Sequence, residues 1–235
     1  PVAAWCAGRV QSVSVSQDGK ATVFEGGADH KSAIVDIVVS PEGGRVLSTD
    51  SAGVACVWRF DGRGRFSRLH TYRSAGSGSA LTKSVWVPTR VPDGSGGTAS
   101  LMAFFAGTDG GWLVYGDDQG NCNRVGGDFR APIDVLEYDP ASRRMVVITR
   151  DLAMAVLEVG PSAKPTLVTR AKLAVRASRG ITATAWLGQG VLSTATGDEP
   201  AARAWLVGQG EGAGSSFLVK LAAKGRSIPR SDRVS

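Results

Sequence analysis

Residue types that build metal centres and disulfide frameworks are scarce in this sequence. Among 235 residues there are three cysteines, Cys6, Cys56 and Cys122, and two histidines, His30 and His70. The cysteines are odd in number and far apart, which argues against a disulfide framework and favours a reducing compartment, the cytoplasm. No Cys-x-x-Cys occurs, and neither histidine has a cysteine or carboxylate at ligand spacing. We therefore expect no metal site and no cofactor.

Long apolar runs and catalytic signature motifs are missing too. No stretch approaches the ~18 apolar residues that a membrane-spanning helix needs, and no charged segment followed by an apolar one suggests a secretory leader. The sequence contains no Gly-x-x-x-x-Gly-Lys-Ser/Thr loop and no Gly-x-Ser-x-Gly at a strand-to-helix turn. These absences argue against nucleotide hydrolysis and against a serine hydrolase.

Short strands are what the sequence does contain. Residues 34–39 are mostly β-branched and apolar, and a Ser-Pro-Glu-Gly-Gly turn at 40–44 separates them from a second strand at 45–49. A turn at Gly53 leads into a third strand at 54–58. Short apolar strands bounded by such turn residues predict an antiparallel sheet. The composition, 43% hydrophobic and 20% charged, is that of a globular domain.

The three-strand unit recurs along the chain. Residues 34–58 match residues 133–157 without a gap, and Ile34, Arg45 and Trp58 fall on Ile133, Arg144 and Leu157. Five units close on a large residue, at intervals of 34 to 57 positions that bracket the ~40–45-residue repeat of a propeller blade. These closing residues are Phe24, Trp58, Tyr115, Leu157 and Trp205, and an aspartate precedes three of them by six positions, namely Asp18, Asp109 and Asp151. Because such sheets must stack to bury their faces, we predict an all-β fold, a partial β-propeller of about five degenerate blades where about seven are expected.

The unit at residues 30–59 resembles a WD40 repeat. His30, Ser48 and Trp58 stand where that repeat places its histidine, its serine and its closing tryptophan. Ala52 stands where the repeat has its structural aspartate, so we expect the hydrogen-bond network among these side chains to be incomplete. The stretches at residues 47–54, 57–65, 104–110 and 145–152 resemble the first propeller of an intraflagellar transport complex A subunit, and the resemblance covers roughly residues 1–210.

The resemblance implies a WD40-type propeller over residues 1–221, followed at 222–235 by a basic tail or the truncated start of a further blade. It implies a non-enzymatic protein–protein interaction scaffold in retrograde ciliary transport and in ciliary membrane-protein trafficking. The implied partners are other subunits of complex A and membrane-protein cargo or adaptors, with the membrane contacted only indirectly. The implied location is the cytoplasm, the cilium or flagellum and the basal body. A scaffold of a vesicle coat or of another cytosolic adaptor complex is the alternative.

The remaining candidate sites have structural explanations. Residues 117–121 could suggest a calcium loop, but no bidentate glutamate stands at the twelfth position, so we predict a polar hairpin turn. Arginines beside aromatic residues at 58–66 could stack on bases, yet strand alternation explains a core Trp58 next to an exposed arginine, and we expect no nucleic acid. The expected inner strands carry mainly Asp36, Asp134 and Glu137. These groups are too few to predict catalysis, so we expect that the chain is not an enzyme.

Overall fold

The computed structural model consists of β-strands and turns. It describes residues 2–6, 9–15, 20–25, 30–61, 65–73, 79–92, 97–126, 128–173, 175, 177–178, 180–187, 190–199, 202–209 and 216–221. Within these ranges there is no helix, and so none that is long and apolar enough to cross a membrane. The strands are β1 (Val2–Cys6), β2 (Arg9–Val15), β3 (Ala21–Glu25), β4 (Ile34–Val39), β5 (Arg45–Asp50), β6 (Val54–Phe60), β7 (Phe66–Arg73), β8 (Leu81–Pro92), β9 (Thr98–Thr108), β10 (Leu113–Asp117), β11 (Cys122–Val125), β12 (Ile133–Asp139), β13 (Arg144–Thr149), β14 (Ala153–Val159), β15 (Pro165–Lys172), β16 (Ile181–Trp186), β17 (Val191–Thr196), β18 (Arg203–Gln209) and β19 (Ser216–Leu221).

These strands form five antiparallel sheets in chain order. Sheet 1 contains β1–β3, sheet 2 contains β4–β7, sheet 3 contains β8–β11, sheet 4 contains β12–β15 and sheet 5 contains β16–β19. Each strand pairs with the next one along the chain, so every sheet is a meander made from one contiguous segment. Gly53 and Gly111 lie in the turns before the third strands of sheets 2 and 3, with φ of 80° and 77°. Glycine adopts this left-handed conformation without the steric cost that a Cβ atom would add.

Four hydrophobic clusters lie between consecutive sheets. Each cluster combines buried side chains from two neighbours, for example Val10 with Trp58, Leu47 with Phe104, Phe105 with Met145, and Ile148 with Trp205. An interior sheet is therefore covered on both faces, and β13 is buried along its whole length. Sheets that stack face to face in chain order are typical of a propeller.

The first strands of successive sheets lie side by side. β4 contacts β1 and β8, while β12 contacts β8 and β16. The fourth strands lie at the opposite edge of their sheets, where β15 contacts β19. The first strands are therefore the inner ones and the fourth strands the outer ones, as in blades arranged around an axis. The prediction of an all-β, propeller-like fold is confirmed at this level.

The internal repeat is confirmed by the strand pairings. Sheets 2 and 4 have irregularities of strand pairing at equivalent positions of the repeat. The shift at Ile34/Asp36 in sheet 2 corresponds to that at Ile133/Val135 in sheet 4, and the shift at Val57/Trp58 corresponds to that at Val156/Leu157. All five predicted closing residues lie in the third strand of a sheet. The two units thus share the irregularities of their backbone as well as their apolar pattern.

Three outer strands were not expected from the sequence. β7, β11 and β15 are the fourth strands of their sheets, and several of their side chains are exposed. An outer strand packs fewer apolar residues than an inner one, so the alternation that signals a strand is weak there. The outer strand expected after Trp205 is confirmed as β19. The predicted tail at 222–235 lies outside the described residues.

Candidate functional site

His30 lies in a buried hydrogen-bond network of sheet 2. Its Nδ1–H donates to Asp50 Oδ2 at 2.9 Å, and its Nε2 accepts the hydroxyl hydrogen of Ser48 at 2.7 Å. The same Ser48 oxygen accepts from Trp58 Nε1–H at 2.8 Å. One neutral histidine tautomer therefore satisfies every polar atom of both rings. All four side chains are buried, so the network offers no group to a ligand.

The expectation that Ala52 leaves this network incomplete is wrong. Asp50 supplies the carboxylate instead, and its Oδ1 also accepts the backbone N–H groups of Ala52 and Val54, both at 2.9 Å. Asp50 thus closes the turn and holds His30 at the same time. The signal in the sequence is an aspartate directly before Ser-Ala-Gly, because an aspartate side chain can bond N–H groups a few residues ahead.

Trp205 has an environment in sheet 5 like that of Trp58 in sheet 2. Its Nε1–H donates to Thr194 Oγ1 at 2.9 Å, and Thr194 is buried on the second strand as Ser48 is. Ser178, which precedes β16, donates its hydroxyl to Oδ1 of Asp198, which follows β17, at 2.8 Å. The predicted positions His30, Ser48, Trp58 and Trp205 therefore belong to the interiors of two separate sheets rather than to one site.

The predicted aspartates lie apart from one another. Asp109 is exposed in the turn between β9 and β10, and Asp151 is exposed in the turn between β13 and β14. The Thr149 hydroxyl donates to Asp151, which lowers the pKa of that carboxyl together with the ammonium of Lys172. Asp18 lies outside the described residues. Neither Asp109 nor Asp151 shares a site with the His30 network.

The inner strands of sheets 2 to 5 line a cavity of about 380 Å³. Three carboxylates, one ammonium and several hydroxyl groups face it: Asp36, Asp134, Glu137, Lys83, Ser84, Thr182 and Thr184. The carboxylates are those that the sequence placed on inner strands. The sequence gives no signal for the lysine and the hydroxyl-bearing residues, because which strands lie innermost depends on how the sheets stack. This cavity is the candidate functional site.

Two of its carboxylates connect neighbouring sheets. Asp36 Oδ2 accepts both the backbone N–H and the hydroxyl of Ser84, each at 2.8 Å. Glu137 Oε1 accepts the Thr184 hydroxyl at 2.6 Å. Within the described residues, the second oxygen of each carboxylate, Asp36 Oδ1 and Glu137 Oε2, accepts no hydrogen bond. Each carboxylate is therefore held in place by one oxygen, and both residues line the cavity.

The negative charge of the third carboxylate, Asp134, is partly balanced by an arginine outside the cavity lining. Arg150 Nη2 donates to Asp134 Oδ1 at 3.1 Å, and this ion pair is largely solvent-exposed. Lys83 is exposed at the cavity wall. The lining therefore has more negative than positive charge, and its geometry is suited to a cation or to a ligand rich in hydroxyl groups.

A second polar cluster surrounds the turn at 117–121. Asp117 Oδ1 accepts the N–H groups of Gln119 and Asn121, while its Oδ2 accepts the hydroxyl of Tyr115. The prediction of a hairpin turn is confirmed, since this turn joins β10 to β11. Burial, followed by the charge of Asp117, raises the pKa of the Tyr72 phenol. In the described part of the chain no group of three histidine, cysteine or acidic side chains could hold a metal ion.

Comparison with known proteins supports the fold alone. No protein-family model and no curated protein matches the chain. Among solved structures, the chain is similar to a protein from Bacteroides fragilis whose assignment as a 6-phosphogluconolactonase is itself provisional; the identity is 14% and the TM-score 0.59. The match covers 91% of this chain and 64% of that one. The chain therefore spans less than two thirds of the length of that structure.

This finding corrects two expectations. The resemblance to an intraflagellar transport complex A subunit, most closely the one-hundred-forty-kilodalton subunit, is wrong, because the similarity is to a different propeller-like protein and nothing in the comparisons indicates WD40 repeats. The expectation that the chain is not an enzyme is contradicted as well, since the similar structure is described as an enzyme. What the comparisons show of this chain is a propeller-like fold.

Proposed function

We propose that the chain is an interaction scaffold whose inner-strand cavity receives a lysine or arginine side chain of a partner protein. The observation that carries the proposal is the charge of the lining: among the described residues, Asp36, Asp134 and Glu137 line one cavity, and Lys83 is the one basic residue of its wall. A cation that enters is attracted by several carboxylates in a partly desolvated space, where charges interact more strongly than in water. Because rigid strands hold the carboxylates, little ordering entropy is lost on binding.

We also propose that the five sheets of this chain form part of a larger ring of sheets. Buried and half-buried residues alternate along β17 of sheet 5, whereas β13 in sheet 4 is buried throughout. One face of sheet 5 is thus less covered than the faces of an interior sheet. Together with the 64% coverage of the similar structure, this supports a ring of about seven blades, of which this chain supplies about five. In the proposed ring, a further sheet covers the less buried face of sheet 5.

The test uses a charge change that keeps the hydrogen bonds. In Glu137→Gln the amide oxygen can still accept from Thr184, so only the negative charge is lost. The probe is a fluorescein-labelled peptide with one lysine among glycines and serines, and the control peptide carries norleucine instead. We expect the lysine peptide to bind at least tenfold more weakly to Glu137→Gln, about 1.4 kcal/mol, and the exposed control variant Asp128→Asn to bind like the parent. Equal binding of both peptides to the parent chain would refute the proposal.

Hydrolysis of a sugar lactone is a second candidate function. It is favoured by the likeness to the structure described as a 6-phosphogluconolactonase and by a carboxylate and an ammonium at one cavity. Glu137 Oε2 could act as general base toward water, and Lys83 could stabilise the developing oxyanion. The assay follows 6-phosphogluconolactone hydrolysis by the parent chain, Lys83→Met and Asp128→Asn. No hydrolysis above the buffer rate by the parent chain would exclude this function, and equal hydrolysis by Lys83→Met would exclude the role of Lys83 in it.

A further inference from the structure

An apolar groove lies between sheets 3 and 4, near their outer strands and away from the inner-strand cavity. It has a volume of about 180 Å³, and its wall includes Leu113, Phe129, Leu157 and Leu167. Leu167 is 49% exposed although it belongs to a strand. A groove of this size and chemistry can take one side chain as large as leucine or phenylalanine, and filling it would remove the exposed part of Leu167 from water.

One of the described residues that line this groove is basic. Arg170 on β15 lines the groove, and its guanidinium lies 5.4 Å from the ring centroid of Phe129. The Arg170 side chain is exposed, and no described carboxylate lies within 4.0 Å of it. Stacking on an aromatic ring keeps a guanidinium in place while it leaves the N–H donors free at the edge of the plane.

The acidic groups near this groove already have basic partners. Asp128, beside Phe129, lies 3.9 Å from Arg130. Asp151 accepts from Lys172, which is two positions from Arg170 along β15, at 3.2 Å. Arg170 is therefore the charge at the groove that lacks an acidic partner within the described residues, and a partner of complementary charge must be acidic.

We propose that this groove binds a short acidic segment of a partner protein. The segment inserts one leucine or phenylalanine side chain between Phe129 and Leu167, and an adjacent carboxylate accepts two N–H donors of Arg170. Two parallel N–H donors of a guanidinium match the two oxygens of a carboxylate, so this contact fixes the orientation of the bound segment as well as adding affinity. The site is separate from the inner-strand cavity and takes a partner of the opposite charge. The wall is mostly aliphatic, and its one described aromatic ring, Phe129, already lies against the Arg170 guanidinium, so the groove favours an apolar side chain of a peptide over a stacked base.

The experiment measures fluorescence anisotropy with three fluorescein-labelled peptides and the full 235-residue chain. The first peptide has six glutamates around one phenylalanine, the second has alanine in place of the phenylalanine, and the third has lysines in place of the glutamates. We expect the first peptide to bind at least tenfold more tightly than the other two. Its binding should weaken as salt is raised, because the carboxylate–guanidinium contact is partly screened.

Two variants locate the site and one controls for net charge. We expect Arg170→Glu to weaken binding of the first peptide at least tenfold, and Leu167→Ser to weaken it at least threefold. The control, Arg73→Glu, makes the same charge change at an exposed arginine of β7 in another sheet and should change the affinity less than twofold. The melting temperature of each variant reports folding, and Arg170→Gln replaces Arg170→Glu if the latter unfolds.

Several results would overturn the proposal. Equal losses in Arg170→Glu and Arg73→Glu would show a general attraction of the basic chain for anions. Equal binding of the alanine peptide would show that no side chain enters the groove. Absence of binding of the first peptide at millimolar concentration would also refute it.

Discussion

Replacing Ser48 with alanine tests whether the buried network of sheet 2 stabilises the fold. The Ser48 hydroxyl donates to His30 Nε2 and accepts from Trp58 Nε1–H, and the side chain is fully buried. In Ser48→Ala, Nε2 of His30 and Nε1–H of Trp58 each lose a hydrogen-bond partner at a buried position. Each buried polar atom without a partner costs about 1–3 kcal/mol, so we expect the two together to lower the free energy of unfolding by about 2–6 kcal/mol.

The assay is urea unfolding of the parent and of two further variants, followed by circular dichroism. Ser142→Ala removes an exposed hydroxyl that donates only to Asp139, and we expect a change below about 0.5 kcal/mol. Ser48→Thr keeps the hydroxyl, as Thr194 does in sheet 5, and should lose less stability than Ser48→Ala. If Ser48→Ala lost less than about 1 kcal/mol, or no more than Ser142→Ala, the network would not stabilise sheet 2 in the way its geometry indicates.

Two further predictions concern the packing of sheet 3 against its neighbours, sheet 4 and sheet 2. A Cβ atom at Gly107 would lie 2.6 Å from Ile133 Cγ2, so Gly107→Ala should lower the free energy of unfolding by about 1–3 kcal/mol. The control is Gly44→Ala, where the nearest atom to an added Cβ is 4.0 Å away. Equal denaturation midpoints of the two variants would contradict the close packing at Gly107. Burial raises the pKa of Tyr72, so the unfolded chain loses this proton near pH 10 while the folded chain keeps it. The free energy of unfolding should therefore fall as pH rises above about 10, and the parent should lose about 1.4 kcal/mol per pH unit more than Tyr72→Phe. Parallel curves of unfolding free energy against pH for the parent and Tyr72→Phe would contradict this prediction.

Local features of the fold could be predicted from the sequence. The strands and turns from Ile34 to Trp58 were identified because β-branched alternation and glycine turns act over a few residues. The copy at residues 133–157 extended that prediction to sheet 4. Strands such as β7 and β15 were missed, since an outer strand is solvated and the sequence need not alternate there. The family resemblance failed for a different reason, because blade turns and closing tryptophans serve any stacked sheet and do not specify one family.

The candidate site could be predicted only in part. Strand alternation placed Asp36, Asp134 and Glu137 on inner strands, but their number alone did not show that they face one cavity. Lys83 joins them because β8 is the inner strand of sheet 3, which depends on how the sheets stack. Likewise, Arg170 is near Phe129 only because β15 of sheet 4 packs beside the segment that follows β11.

The sequence by itself determined the meander of short strands, the repeat between sheets 2 and 4, and the residues available for the cavity. These properties follow from apolar alternation and turn chemistry, which are local. Only the tertiary structure decided that the first strands meet at one cavity and that Arg170 borders an apolar groove. Such placements depend on the packing of whole sheets, where side chains distant in sequence become neighbours because their faces must be buried together.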